Sequence, residues 1–167
     1  MNGSISVGAS EGTYVLKFNG DIRVGLCGAL EAFCDRMLAA ADFRGVIVDL
    51  ADTIAIDSTA LGCLARLSIS VQGLKDKIPT LICRSQDVRR VLLNMGFDDV
   101  FAIVADSAVQ DVDLVDIPNV DESQTRERVI EAHKVLMSLN ASNRERFKSL
   151  VEACLLYTSD AADDLGR

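Results

Sequence analysis

The residues best placed to do chemistry are Asp57 and Ser58, in the stretch Ile54-Ala55-Ile56-Asp57-Ser58-Thr59-Ala60-Leu61-Gly62. Apolar residues alternate before Asp57, as in a strand. After Ser58 they recur at helical spacing through Leu61, Leu64, Ala65, Ser68 and Ile69. Ser58 is thus expected as the N-cap of a new helix, its hydroxyl accepting from backbone N–H groups of the first turn. A hydroxyl at a helix start, beside a carboxylate and at the end of a sheet, is also a place where charge can be added. Both roles, cap and switch, are open from the residues alone.

Other chemistry-bearing residues form no recognisable set. His133 is the one histidine, and it falls on the apolar seam of a predicted helix far from Ser58, where it reads as a packed or capping side chain. No base is therefore expected for Ser58 as a nucleophile. The chain has no Gly-x-Gly-x-x-Gly, P-loop or Gly-x-Ser-x-Gly elbow, so no catalytic residues and no cofactor are expected. Cys27, Cys34, Cys63, Cys83 and Cys154 are scattered without a CxxC pair, which suits reduced, buried thiols rather than a metal site. Asp106, Asp111, Asp113, Asp116 and Asp121 lack the glycine turn and closing glutamate of an EF-hand, and read as a solvated acidic connection.

The elements that must position Asp57 and Ser58 follow from periodicity. Ser4 to Val7 and the run Gly12 to Phe18 read as a hairpin about a Glu-Gly turn, closed by Asn19-Gly20-Asp21. Residues 24–41 carry a helical apolar face of Leu26, Leu30, Phe33, Met37 and Leu38. Gly45-Val46-Ile47-Val48-Asp49-Leu50 reads as a buried central strand. The Ser58 helix is expected to reach about Lys75, followed by a strand at 78–83 and a helix begun by Ser85 and stopped by Gly96 in a left-handed cap. A last strand is expected over 100–104. This order predicts an α/β domain with a mixed sheet over residues 1–105.

An acidic linker, or an arm lying on the domain, is expected over 106–120. A helical hairpin is expected over 121–154, its second helix begun by a capping box at Ser142-Asn143-Arg144-Glu145. Its seam (Val129, Ala132, Leu136, Leu139) must bury itself against the α/β domain, a second subunit or a partner, and it suits a homodimer. Residues 155–167 resemble translated sequencing-adapter tails and are read as a non-native or disordered tail.

A net charge of −8 argues against nucleic acid as a partner and suits protein partners. No apolar run approaches the roughly 20 residues of a membrane span, and no signal peptide is evident. Localisation in the cytoplasm, away from membranes, is the expectation.

Asp57-Ser58-Thr59-Ala60-Leu61-Gly62, preceded by Gly20-Asp21 and Val48-Asp49-Leu50, resembles the core of STAS domains. These occur in bacterial anti-sigma factor antagonists and in the cytoplasmic tails of sulfate transporters. The resemblance covers about residues 4–105 and includes the helix before Gly96 and the following Phe97-Asp98-Asp99-Val100-Phe101. Ala60 departs from the glycine of many members. The C-terminal hairpin lies outside it, and without a membrane segment a transporter tail is not expected.

The resemblance implies that Ser58 is phosphorylated, with Thr59 as the nearest alternative. It places Asp21, Asp57, Ser58, Thr59, Leu61 and Gly62 on a partner-binding surface. The implied partners are a serine kinase of the histidine-kinase-like ATPase family, often itself the anti-sigma factor, and a PP2C-type phosphatase. The expected function is phosphorylation-controlled partner switching in transcription regulation. The alternative is an interaction or dimerisation domain without a phosphorylation cycle, in a pathway such as biofilm control.

Overall fold

A computed structural model describes residues 2–106, 112–118 and 125–165. Among these residues a seven-stranded sheet runs in the order β6 (Ala102–Val104), β5 (Thr80–Ile82), β3 (Gly45–Asp49), β2 (Thr13–Ile22), β1 (Ser4–Ser10) and β7 (Val115–Asp116), with β4 (Thr53–Ile56) paired to β2 beside this path. β1 (Ser4–Ser10) and β2 (Thr13–Ile22) form the opening hairpin, with Glu11 and Gly12 both at positive φ. That backbone twist matches the twist of paired strands.

β2 does not end at Asn19-Gly20-Asp21. It pairs in parallel with β3 (Gly45–Asp49) up to Lys17. Its register then shifts between Gly20 and Asp21, and it continues beside β4 (Thr53–Ile56). The glycine is thus a bulge inside the strand rather than its stop. This detour sets the position of the site, because it lays Ile22 against Ile56 and lets Asp57 N–H donate to the Ile22 carbonyl at 3.0 Å.

β3 lies between β2 and β5 (Thr80–Ile82), parallel to both, as its apolar run predicts. β6 (Ala102–Val104) closes that edge. Leu16, Phe18, Val48 and Leu81 are wholly buried beneath the helices. A 3-10 turn at Val24–Leu26 leads into α1 (Cys27–Ala39). α2 (Ser58–Lys75) follows β4 directly. α3 (Gln86–Asn94) is capped by Ser85, whose Oγ accepts from Val88 N–H at 3.2 Å. Gly96 ends it at φ 82°, and Phe97 stacks on Phe101 with ring centroids 5.6 Å apart.

The acidic connection carries a short strand where none was expected. β7 (Val115–Asp116) pairs antiparallel with Ser6 and Val7, and Ser6 Oγ donates to Asp116 at 2.6 Å. A two-residue pairing gives no periodic signal in sequence. Residues 107–111 and 119–120 of the expected linker lie outside the described residues, as do 121–124.

α4 (Thr125–Leu139) and α5 (Ala141–Leu165) form the hairpin. The capping residue of α5 is Asn140, whose Oδ1 accepts from Asn143 N–H at 2.7 Å, so Ser142 lies inside the helix rather than before it. The hairpin buries its seam against the α/β body, with Ile130, Ala132, His133 and Leu136 buried on α4 and Phe147 and Val151 on α5. Asn143, fully buried, donates from Nδ2 to the carbonyls of Met95 at 2.8 Å and Leu136 at 2.9 Å. It fastens the hairpin to the end of α3. In the expected 155–167 tail, the α5 backbone continues to Leu165, while side chains from residue 157 and all of 166–167 lie outside the described residues.

Candidate functional site

The site is the junction of β4 and α2. Asp57 has extended backbone (φ −83°, ψ 167°) and caps α2 through its side chain. One carboxylate oxygen accepts from Ala60 N–H at 2.8 Å and the other from Val24 N–H at 2.9 Å. Asp57 therefore joins the start of α2 to the turn before α1, holding two backbone donors that would otherwise lack partners. The capping role expected of Ser58 belongs to Asp57. Ser58 is the first helical residue, and its hydroxyl is free of capping duty.

That hydroxyl has a different partner. Ser58 Oγ lies 2.8 Å from His133 Nε2, and His133 Nδ1 lies 2.6 Å from the Val129 carbonyl. A carbonyl can only accept, so Nδ1 carries a proton. In the neutral ring Nε2 then holds the lone pair and Ser58 O–H donates to it. The ring is 2 % exposed and stands edge-on to Phe147 at 5.0 Å. The expectation that no histidine reaches Ser58 is corrected by this contact. The apolar spacing of α4 announces a seam but not the surface it docks on.

A serine hydrogen-bonded to an imidazole is the arrangement of an activated nucleophile. Here it sits beneath a packed helix. Two cavities among the described residues lie elsewhere. One, of about 550 Å3, is at the foot of the sheet among Arg44, Ile47, Lys77 and Thr80. The other, of about 80 Å3, is between α1 and α2 beside Glu31, Cys34, Cys63 and Arg66.

The remaining expected partner-binding residues divide sharply. Asp21 is half-buried next to β4, its carboxylate paired with Arg23 at 3.0 Å. Asp57 and Ser58 are also half-buried. Thr59, the alternative phosphoacceptor, is 6 % exposed, and Leu61 is 1 % exposed within the core. Gly62 lies under α4: a Cβ there would stand 2.3 Å from the Ala132 carbonyl oxygen. The helices cross at this point with backbone against backbone, and glycine is what permits it. Arg128, one turn before Ala132 on the same face, pairs with Glu31 of α1 at 2.9 Å. The periodicity places Ala132 on the α4 seam but gives no sign of Arg128 or Glu31, although a glycine inside a helical pattern is the usual trace of close approach.

Cys27, Cys34, Cys63 and Cys83 are buried free thiols, and Cys154 is half-buried. Burial, with the charges of Asp35 and Glu31, pushes the Cys34 thiol up to about 12. Cys63 is pushed upward by its hydrogen bond with Cys27 and by burial. Among the described residues no group of three or more His, Cys, Asp or Glu side chains could hold a metal ion. Among them, too, no helix is long and apolar enough to cross a membrane.

A mixed sheet with helices packed on it, and a serine following a capping aspartate at a strand-to-helix junction, define a small α/β domain. Residues 4–111 match the model of the STAS domain family, and the chain belongs to that family. No curated protein matches it. A solved structure, an anti-sigma factor antagonist from Mycobacterium paratuberculosis, is similar in fold with a TM-score of 0.53. That similarity comes at 21% sequence identity, over 63% of this chain and 87% of the other. The family match ends before α4, so the helices that cover Ser58 lie outside it.

Proposed function

We propose that this protein is a partner-switching regulator of the anti-sigma factor antagonist type, acting in the cytoplasm. Unphosphorylated, it binds a serine kinase of the histidine-kinase-like ATPase family that doubles as an anti-sigma factor. Phosphorylated on Ser58, it lets go, and a PP2C-type phosphatase restores it. The protein is a substrate and binding partner in this cycle, not an enzyme.

The observation that carries this reading is the division of labour at the start of α2. Asp57 does the capping, so the Ser58 hydroxyl can be modified without breaking the helix start. A phosphate adds about −1.5 to −2 charges at neutral pH. The amino end of α2 favours an anion, so the fold tolerates the phosphate. A partner lying over Ser58 does not, because the phosphate stands beside Asp57 on a chain of net charge −8. Burying a charge without its partner costs about 2–5 kcal/mol, roughly thirty-fold or more in affinity. Thr59, buried under the first turn, is the poorer acceptor.

The test is phosphopeptide mapping after incubation with the cognate kinase and ATP. Phosphate on Ser58, absent from Ser58→Ala, is the expected result. Equal labelling of Ser58→Ala overturns the assignment.

A second reading is favoured by the Ser58–His133 contact itself, since the hydroxyl already has a structural partner. On that reading the chain is an interaction or dimerisation domain with no phosphorylation cycle. Ser58→Asp would then leave partner binding unchanged.

A further inference from the structure

We infer that the α4–α5 hairpin is an internal occupant of the Ser58 surface, and that it and a phosphate on Ser58 exclude one another. The inference rests on Ser58 being the phosphoacceptor, and it adds a regulator carried within the same chain. Three contacts along one stripe of α4 hold it there. Arg128 pairs with Glu31 at 2.9 Å, Ala132 lies against Gly62, and His133 takes the Ser58 hydroxyl at 2.8 Å.

This stripe occupies the side of Ser58 on which its hydroxyl meets His133. Ser58 Oγ and His133 Nε2 are already at hydrogen-bond distance, so nothing can be placed between them. The ring cannot back away, because it is buried against Phe147 and its Nδ1–H is held by its own helix at Val129. Nor can α4 slide closer to make room elsewhere, since Gly62 and Ala132 already meet at backbone contact. A phosphate on Ser58 also removes the O–H that donates to Nε2. Modification therefore costs the hairpin a hydrogen bond and a packed crossing together, and the hairpin leaves. Conversely, a kinase that reaches Ser58 must first lift α4, so hairpin docking limits how readily the serine is modified. The hairpin stays tethered by its own chain and competes at high effective concentration.

The test is hydrogen–deuterium exchange on the full chain, comparing three proteins. They are the wild type, a chain with phosphoserine incorporated at position 58 during translation, and Gly62→Ala. The three heavy atoms nearest the added methyl of Gly62→Ala all belong to Ala132 of α4, while alanine favours the helix. It therefore dislodges α4 without disturbing the α/β body. The expected result is exchange in the α4 peptides at least roughly tenfold faster in both altered chains, with β3 amides as protected as in the wild type.

Wild-type or greater protection of α4 in the phosphoserine chain overturns the inference, as does wild-type protection in Gly62→Ala. Because the phosphate is installed during translation, this outcome is independent of whether any kinase labels Ser58. A failed labelling experiment would count against the proposed cycle and not against this exclusion.

Discussion

Ser58 Oγ and His133 Nε2 meet at 2.8 Å although 75 positions separate them in the chain. The contact joins the strand-to-helix junction of a STAS domain to a helix that the family match does not include. The same hydroxyl that is proposed to carry a phosphate thus also latches the C-terminal hairpin. His133→Ala removes the acceptor of that bond and a ring packed on Phe147. A lost hydrogen bond and a lost aromatic contact together predict a destabilisation of about 1.5–3 kcal/mol. Urea denaturation followed at α4 reads it, and a change below about 0.5 kcal/mol would show that the contact carries no weight.

Asp57 and Ser58 are predicted to differ in stability although they are neighbours. Asp57→Ala strands the N–H groups of Ala60 and Val24, and a lost cap alone costs about 1 kcal/mol, up to about 2. Ser58→Ala breaks no cap but leaves one buried imidazole nitrogen without its partner, and is predicted to cost about 1 kcal/mol, less than the two stranded donors of Asp57→Ala. Thermal melts of the two variants rank them. A larger loss for Ser58→Ala would return the capping role to the serine.

Gly96 joins the end of α3 to the hairpin loop. Its φ of 82° is left-handed, and a Cβ there would lie 2.5 Å from Asn140 Nδ2. Gly96→Ala is predicted to cost about 1–3 kcal/mol through the backbone conformation alone. It should also weaken hairpin docking, visible as faster hydrogen exchange in α4 and α5. Stability equal to the wild type would mean that the turn relaxes without strain.

The buried thiols give a prediction in pH. Cys34 is held protonated with its pKa raised to about 12, above the unfolded value of roughly 8.5. The folded state therefore binds more protons between these values, and stability falls as pH rises through that window. Below about pH 8.5 the contribution is fully present. Urea midpoints from pH 7 to 11 should decline, and less steeply in Cys34→Ala. An identical slope in the variant would remove Cys34 as a source.

Much of the fold was legible because it rests on local patterns. The apolar run at Val46 to Val48 marks the central strand, Ser85 marks the start of α3, and Gly96 marks its end. The identity of the α2 cap was harder. Asp and Ser are nearly equal capping residues, and adjacent candidates differ only in backbone geometry that tertiary contacts decide. Gly20 looked like a stop because a bulge and a turn use the same residue. β7 was hidden since its pairing depends on a distant edge strand rather than on its own sequence. At the site, the motif pointed to Ser58 but not to what covers it. The α4 seam has the right period for a packed helix, yet periodicity does not say which surface a helix chooses. Gly62, a glycine in a helix interior, is the local sign that another backbone comes close.

On the proposed function, charge on Ser58 decides whether a partner is held. Calorimetric titration of the purified kinase or anti-sigma partner into the full chain, with serine or phosphoserine at position 58, measures this most directly. Binding to the serine form is expected, with affinity weaker by roughly thirty-fold or more for the phosphoserine form. Equal dissociation constants for the two forms would contradict it.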